Sequence, residues 1–259
     1  MEMLWSGCGS AFCLKNNQSN PVIKSNGKIL LGDCGSDIRF ALNDNGLGAG
    51  DIDAVSISHL HGDHVGGLEW LAFSTYFNPT LKRPKLYIEG ALARELWDKT
   101  LRGGLECIEG KMVTLEDYFE VMPVEANGHF KWEGMKFEIV QTLHMAAKYK
   151  IINSFGLMIT TDTKCKVFFT TDTQFAPTNS MMAAYKDADI IFHDCETSPF
   201  PSGVHAHYDQ LVTLPDWVKA RIWLYHYQDN VVDDFDTWNE KAIKDGFQGF
   251  VKQGQTYAL

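Results

Sequence analysis

Residues 59–64 read HLHGDH and place three histidines and one aspartate within six positions. They follow the apolar segment DAVSIS, residues 53–58, which predicts a buried strand with the histidine-rich loop at its carboxyl end. Gly62 lets that loop turn tightly. Imidazole and carboxylate ligands without a thiolate suit Zn²⁺, Mn²⁺ or Fe. A lone histidine at a strand end is more often structural, but this density of ligand side chains predicts a metal site.

Further ligand-type side chains follow other predicted strands. The segment FEIVQTLH ends a strand at His144, KVFFTTD reaches Asp172, and RIWL stops just before His226. Two packed sheets can gather side chains from distant positions at one rim. We therefore expect these three residues to meet the loop of residues 59–64.

Helices are expected between the strands. Asn26-Gly27 marks a two-residue hairpin turn, and a short helix is predicted from Asp37, an N-cap residue, to Gly46. Other helical segments are predicted at residues 91–102, 115–119 and 181–187. Helices on the outer faces of two sheets give the expected fold: an α/β, four-layer αββα sandwich, with residues 1–259 in one domain.

Composition limits the partners. A net charge of −10 disfavours a grip on long nucleic acid, which needs a basic surface, and favours a small substrate. No apolar run is long enough to span a membrane, and we see no signal peptide. The six cysteines are scattered and never form a C-x-x-C pair, which is typical of free thiols in a reducing cytoplasm. We expect a cytoplasmic protein, either of its own cell or of an infected host cell.

Five motifs occur in the order found in the metallo-β-lactamase superfamily. They are WSGCGSAF near the amino terminus, GDCG at residues 32–35, HLHGDHVGGL, FFTTDTQF and WLYHY. The chain resembles that superfamily along most of its length. The resemblance implies that His59, His61 and His144 hold one divalent metal ion. It implies that Asp63, His64 and His226 hold a second, with Asp172 bridging the two and Asp33 orienting the ligand loop.

The implied centre suits hydrolysis. Two cations, most simply Zn²⁺ with Mn²⁺ or Fe as alternatives, would lower the pKa of a shared water and provide a bridging hydroxide for attack. They would also stabilise the charge that develops on the substrate oxygens. Asp63 therefore belongs to the catalytic residues as well as to the ligands.

The segment HDCETSPFPSGVHAHYDQL, residues 193–211, selects a branch of the superfamily. It resembles the ribonuclease Z-like phosphodiesterases, in which a strand ends in a short acidic segment and a further histidine follows outside the metal set. His205 aligns with that histidine and would protonate the leaving oxygen as general acid. Either Asp194 or Glu196 would support it, and the sequence leaves that choice open. His193 and His207 are weighed as functional residues against structural roles. The structural role is a strand-end hydrogen bond for His193, while His207 either points away from the site or caps the following helix; His129 is expected to be a solvated loop residue.

The short stretch between His144 and Asp172 has no room for the basic arm with which ribonuclease Z proper holds tRNA. The chain is closer to the compact members, among them phage anti-Pycsar enzymes that hydrolyse cyclic nucleotides. This implies a homodimer and a phosphodiesterase acting on a small, most simply cyclic, nucleotide. Phe200, in a loop with two prolines, would serve as a lid or as part of a rigid turn. A lactonase or other carboxylic-ester hydrolase and a short nuclease are the alternatives.

Overall fold

The computed structural model describes residues 1–259, which form two large sheets and a set of mostly short helices. The strands are β1 (Glu2–Trp5), β2 (Pro21–Ser25), β3 (Lys28–Gly32), β4 (Ala54–Ile57), β5 (Lys85–Glu89), β6 (Cys107–Ile108), β7 (Lys111–Met112), β8 (Glu120–Val124), β9 (His129–Trp132), β10 (Met135–Ala147), β11 (Lys150–Thr160), β12 (Lys166–Phe169), β13 (Ile190–Asp194), β14 (Ile222–Tyr225), β15 (Gly249–Phe250) and β16 (Thr256–Ala258). The α-helices are α1 (Ile38–Asp44), α2 (Gly62–Val65), α3 (Leu68–Tyr76), α4 (Gly90–Leu96), α5 (Arg102–Leu105), α6 (Leu115–Tyr118), α7 (Asn179–Asp187), α8 (Tyr208–Leu211), α9 (Asp216–Lys219), α10 (Asp229–Asp233) and α11 (Phe235–Lys244). No helix is both long and apolar enough to pass through a bilayer.

The first sheet has the strand order β16-β1-β2-β3-β4-β5-β8, and the second has the order β15-β14-β13-β12-β11-β10-β9. In the first sheet β3, β4, β5 and β8 run parallel; in the second sheet β12, β13, β14 and β15 do. The carboxyl ends of parallel neighbours meet at one edge of a sheet. Each sheet can therefore deliver several loops to the same rim.

Alternation along the strands of the first sheet separates two apolar layers. Leu30 belongs to the cluster between the sheets, whereas its neighbour Leu31 belongs to the cluster under helices α1 and α3. The same split divides Trp5 from Leu4, as expected where successive strand side chains face opposite sides. Between the sheets the Trp5 ring packs against aromatic rings of the second sheet. The four-layer αββα order predicted from the sequence is confirmed.

Local predictions hold at two turns. Asn26 and Gly27 have φ of 51° and 72°, as a type I′ hairpin turn requires, and join β2 to β3. Asp37 stands at the N-cap of α1, but its carboxylate accepts from the Gln18 amide at 2.8 Å rather than capping its own helix. Gly46, just beyond α1, has a positive φ of 69°.

Two predictions are corrected. The strand expected to end at His144 continues as β10 to Ala147, because β10 and β11 form one long antiparallel ribbon. Leu143 pairs with Asn153 and Met145 with Ile152, so His144 is the extra residue of a β-bulge. The helix expected over residues 91–102 begins at Gly90 and passes through a π-helical turn, Trp97–Leu101, into α5.

Candidate metal centre

Three imidazoles form the first cluster of possible ligands. His61 Nδ1 lies 3.0 Å from His59 Nε2 and 3.0 Å from His144 Nε2. Burial lowers the pKa of all three histidines, so the neutral imidazole is favoured. The structure thus brings together the three residues that the sequence assigns to one metal, with Asp172 beside them.

The second cluster joins Asp63, His64, Asp172 and His226. His64 Nε2 lies 3.2 Å from the carboxylates of both Asp63 and Asp172. Although burial opposes their charge, nearby histidines lower the pKa of both aspartates, His64 first for Asp63 and His226 first for Asp172. Asp172 belongs to both clusters, which is the position expected of a bridging ligand, and also to a third group with Asp194, His205 and His226.

Several atoms of this arrangement need a cation. His64 Nε2, His226 Nε2 and Asp172 Oδ1 are buried and accept or donate no hydrogen bond within the protein. Leaving such atoms unpaired costs roughly 1–3 kcal/mol each. Neutral imidazole and carboxylate donors that converge in this way fit divalent metal ions. The residues present therefore fit two metals, while the donor set does not distinguish Zn²⁺ from Mn²⁺ or Fe.

One carboxylate orients a histidine from each cluster. His64 donates from Nδ1 to Asp33 Oδ2 at 2.8 Å. His59 donates from Nδ1 to Ser58 Oγ at 3.0 Å, and that hydroxyl donates to the same Asp33 oxygen at 2.8 Å. Both rings are thereby turned so that Nε2 faces the centre. The sequence indicates Asp33 but not Ser58, because a serine at a strand end has no distinctive pattern.

The D-x-G turn that contains Asp33 packs directly under the ligand loop. Asp33 itself has a φ of 68°, a conformation that Asp and Asn tolerate better than most residues. Cys34 donates from its amide to the His64 carbonyl at 2.8 Å. A Cβ atom at Gly35 would overlap the carbonyl oxygen of Asp63. The glycine of this motif is therefore required by close packing.

The bulge at His144 turns this ligand toward the rim. His144 donates from Nδ1 to the carbonyl of Val204 at 2.9 Å, which leaves Nε2 facing His61. The hydrogen-bond acceptor that orients His144 is thus a backbone carbonyl of the loop between β13 and α8. Sequence reasoning could not find it, since carbonyl groups have no side-chain signature.

The same loop places His205 beside the centre. His205 donates from Nδ1 to Asp194 Oδ2 at 2.8 Å and lies 3.9 Å from Asp172 Oδ2. Although burial lowers it, the carboxylates of Asp194 and Asp172 raise the pKa of His205 to about 10. Its side chain remains 16% exposed, whereas those of the neighbouring His144 and Asp172 are 1% exposed. His205 therefore combines a positive charge, a free Nε2 and access from outside.

Glu196 does not contact His205. Its carboxylate accepts from Ser198 Oγ at 2.8 Å and from the Ser202 amide at 2.9 Å, and so closes the loop on itself. Of the two acids that the sequence left open, the geometry pairs Asp194 with His205. Glu196 follows β13 and forms an isolated β-bridge with His207.

The remaining histidines of the segment have structural contacts. His207 accepts from the Asp209 amide at 3.3 Å and caps α8, which is one of the two roles weighed from the sequence. His193 points to the outer face, where it lies 2.6 Å from the Tyr185 hydroxyl of α7. His129 is exposed at the start of β9. Phe200 is 82% exposed at the tip of the loop that Glu196 closes.

A cavity of about 420 Å³ opens beside the first cluster. His59 and His61 form its inner end, Leu92 of α4 lines one wall, and Ile151 and Asn153 of β11 line the other. The region of residues 74–135, which contains no sequence motif, thus contributes α4 to a wall next to the centre.

The family model for "Anti-Pycsar protein Apyc1" matches residues 1–257. The chain belongs to this family. An anti-Pycsar protein Apyc1 of Paenibacillus harenae is 36% identical over 232 residues, which cover 89% of this chain and 91% of that protein. One from Bacillus phage 010DV004 is 30% identical over 269 residues, covering 100% of this chain and 98% of that protein. The resemblance to the anti-Pycsar group seen in the sequence motifs is confirmed.

Solved structures agree on the fold of this Apyc1 family member. The metallo-β-lactamase fold protein YhfI of Bacillus subtilis superposes with a TM-score of 0.72 at 19% identity, covering 99% of this chain and 98% of that one. A diphosphatase of the PhnP family gives a TM-score of 0.75 at 18% identity, covering 100% and 97%. Yeast PDE1 gives 0.75 at 10% identity, covering 100% and 99%. The metallo-β-lactamase fold expected from the motifs is confirmed.

Proposed function

We propose that the chain is a dinuclear-metal phosphodiesterase that hydrolyses a small phosphodiester, most simply a cyclic nucleotide. His59, His61 and His144 would hold one cation, while Asp63, His64 and His226 would hold the other, and Asp172 would bridge them. When bound, the two divalent cations would supply an activated water and neutralise charge that develops on the phosphate oxygens. Zn²⁺ is the first candidate.

The observation that supports a phosphodiester substrate is the Asp194–His205 pair. Breaking a P–O bond leaves an alkoxide, which departs more easily when a positioned acid protonates it. His205 Nδ1 is 2.8 Å from Asp194 Oδ2, so the carboxylate holds the imidazolium and leaves Nε2 to donate to the leaving oxygen.

The adjacent cavity accommodates the rest of a small substrate. Leu92 and Ile151 offer apolar surface for a base, and the Asn153 amide offers one donor group and one acceptor group. The charged residues of the lining balance, because Glu89 and Glu95 stand against Lys99 and Lys150. Glu95 lies 2.9 Å from Lys99 and 3.7 Å from Lys150. Such a cavity suits an uncharged heterocycle attached to one phosphate better than a chain of phosphates.

Membership of the Apyc1 family supports this assignment, because the relatives are named anti-Pycsar proteins and include proteins of phages. The homodimer is part of the proposal and follows from the resemblance to compact phosphodiesterases. Light scattering of the purified protein would measure the mass against the 29.2 kDa chain.

The test is a substrate panel for the metal-loaded protein. We expect hydrolysis of 2′,3′- or 3′,5′-cyclic mononucleotides, and weaker hydrolysis of bis(p-nitrophenyl) phosphate. The panel also includes lactones, which test for an ester hydrolase, and single-stranded oligonucleotides, which test for a nuclease. Turnover of lactones with no cleavage of any phosphodiester would overturn the proposal in favour of an ester hydrolase.

A further inference from the structure

One oxygen of the Asp194 carboxylate has no partner. Oδ2 accepts from His205 Nδ1 at 2.8 Å and from the Thr173 amide at 2.9 Å. Oδ1 is buried and makes no hydrogen bond within the chain. A buried charged oxygen without a donor costs more than the roughly 1–3 kcal/mol of a neutral group. We therefore expect a hydrogen-bond donor for Asp194 Oδ1 on the same face of the sheet.

Tyr225 lies on that face. It is the register partner of Asp194 in the parallel pairing of β13 with β14, and such partners on adjacent strands are about 4.8 Å apart. The Tyr225 ring is 4.6 Å from the Trp5 ring, and Phe192, two residues before Asp194, is 5.3 Å from it. Tyr225 and Asp194 therefore both face the space between the sheets, directly below the metal centre.

The Tyr225 hydroxyl is also unpaired. The residue is 1% exposed, and its Oη makes no close hydrogen bond. The neighbouring hydroxyl is that of Thr170, whose Oγ accepts from the Asp194 amide at 3.1 Å. A donor and a charged acceptor, both buried and both unpaired, thus occupy register-paired positions on one sheet face.

We propose that Tyr225 is a positioning residue for the Asp194–His205 pair. Its hydroxyl donates to a buried water that in turn donates to Asp194 Oδ1, and this bridge prevents the carboxylate from rotating about its Cβ–Cγ bond. Oδ2 is then held where it accepts the His205 Nδ1 proton. The inference rests on the proposed role of His205 as general acid.

The test is Tyr225→Phe, which removes only the hydroxyl. Tyr257→Phe is the matched control, because Tyr257 also has a buried hydroxyl without a partner but packs against Phe192 and Trp223, which lie two residues before Asp194 and Tyr225 on their strands. With cyclic nucleotide as substrate, Tyr225→Phe is expected to lower kcat about tenfold with KM within about twofold and full metal content. Tyr257→Phe is expected to leave both constants unchanged.

A second measurement does not depend on turnover. The His205 Nδ1 proton, held by a carboxylate, should give a downfield proton resonance in the metal-free protein, assigned by its loss in His205→Ala. We expect it to shift upfield or broaden away in Tyr225→Phe and to stay in place in Tyr257→Phe. An unchanged resonance together with an unchanged kcat would overturn the role of Tyr225. If His205→Ala keeps full activity, the general-acid assignment fails instead, while the resonance still reports on the Tyr225 contact.

Discussion

The two sheets supply the candidate centre in different ways. The first sheet contributes one continuous loop after β4, in which His59, His61, Asp63 and His64 lie within six positions. The second sheet contributes single residues from separate connections: His144 at a bulge, Asp172 after β12, His205 after β13 and His226 after β14. A continuous loop can be recognised by its spacing, whereas the single residues become a site only when the sheet brings the bulge of β10 next to the ends of the parallel strands. The loop of the first sheet therefore indicates a metal site in the sequence, and the second sheet supplies the remaining side chains of that site.

The strongest test of this division removes the residue on which both clusters depend. Asp172→Ala, in the second sheet, should empty both metal sites, because Asp172 lies in both ligand groups. We expect less than one metal per chain by plasma mass spectrometry and a loss of activity beyond the ~10–100-fold typical of outer-shell changes. Asp162→Ala, an exposed aspartate between β11 and β12, is the control. Two retained metals would show that the remaining ligands hold both ions without the shared carboxylate.

The next largest effect separates chemistry from metal binding within the second sheet. His205→Ala should lower kcat on a cyclic nucleotide by ~10²–10⁴-fold, the usual contribution of a general acid. Metal content should not change, because His205 is paired with Asp194 at 2.8 Å. The matched control is His129→Ala, at an exposed histidine of β9. Loss of metal from His205→Ala would reassign His205 as a ligand.

Asp33→Asn tests the hydrogen bonds that orient the ligands of the first sheet against the hydrogen bond that orients His226 of the second. Asn keeps the φ of 68° but removes the charge that orients His64 at 2.8 Å and, through Ser58, His59. We expect metal affinity to fall ~10–100-fold in competition with a chelator. Ser19→Ala removes the hydroxyl 3.3 Å from His226 Nδ1, a longer and uncharged contact, and should have the smaller effect. The reverse order would mean that the first-sheet loop does not need its carboxylate.

The smallest expected effect concerns the exposed end of the second sheet. Lys150→Ala removes the 3.7 Å contact with Glu95 across the cavity mouth, where the lysine side chain is 61% exposed. Such pairs contribute ~0–1 kcal/mol. We expect thermal stability to be almost unchanged and KM to change less than about threefold in steady-state assays. A tenfold change in KM would show that the pair shapes the cavity instead of merely bordering it.

The sequence predicts the continuous loop of the first sheet better than the details of the second sheet. The loop of residues 59–64, the four-layer order and the grouping of His144, Asp172 and His226 could be predicted, because spacing and strand patterns reflect local physics. The continuation of β10 past His144 could not, since a bulge depends on pairing with β11. The choice of Asp194 over Glu196 could not either. Asp194 and Glu196 are only two positions apart at the end of a strand, and which of them faces His205 depends on the tertiary fold.

The bulge at His144 has a consequence for how such a chain can vary. Beyond it, β10 and β11 form a ribbon that ends in the fully exposed Tyr149 and lines the cavity with Ile151. Because ladder pairing restarts after the unpaired residue, pairs of residues could be added to or removed from the ribbon without moving the His144 ring. The hairpin length is thereby uncoupled from the ligand geometry. Substrate preference could drift by insertion and deletion while the metal centre stays constant.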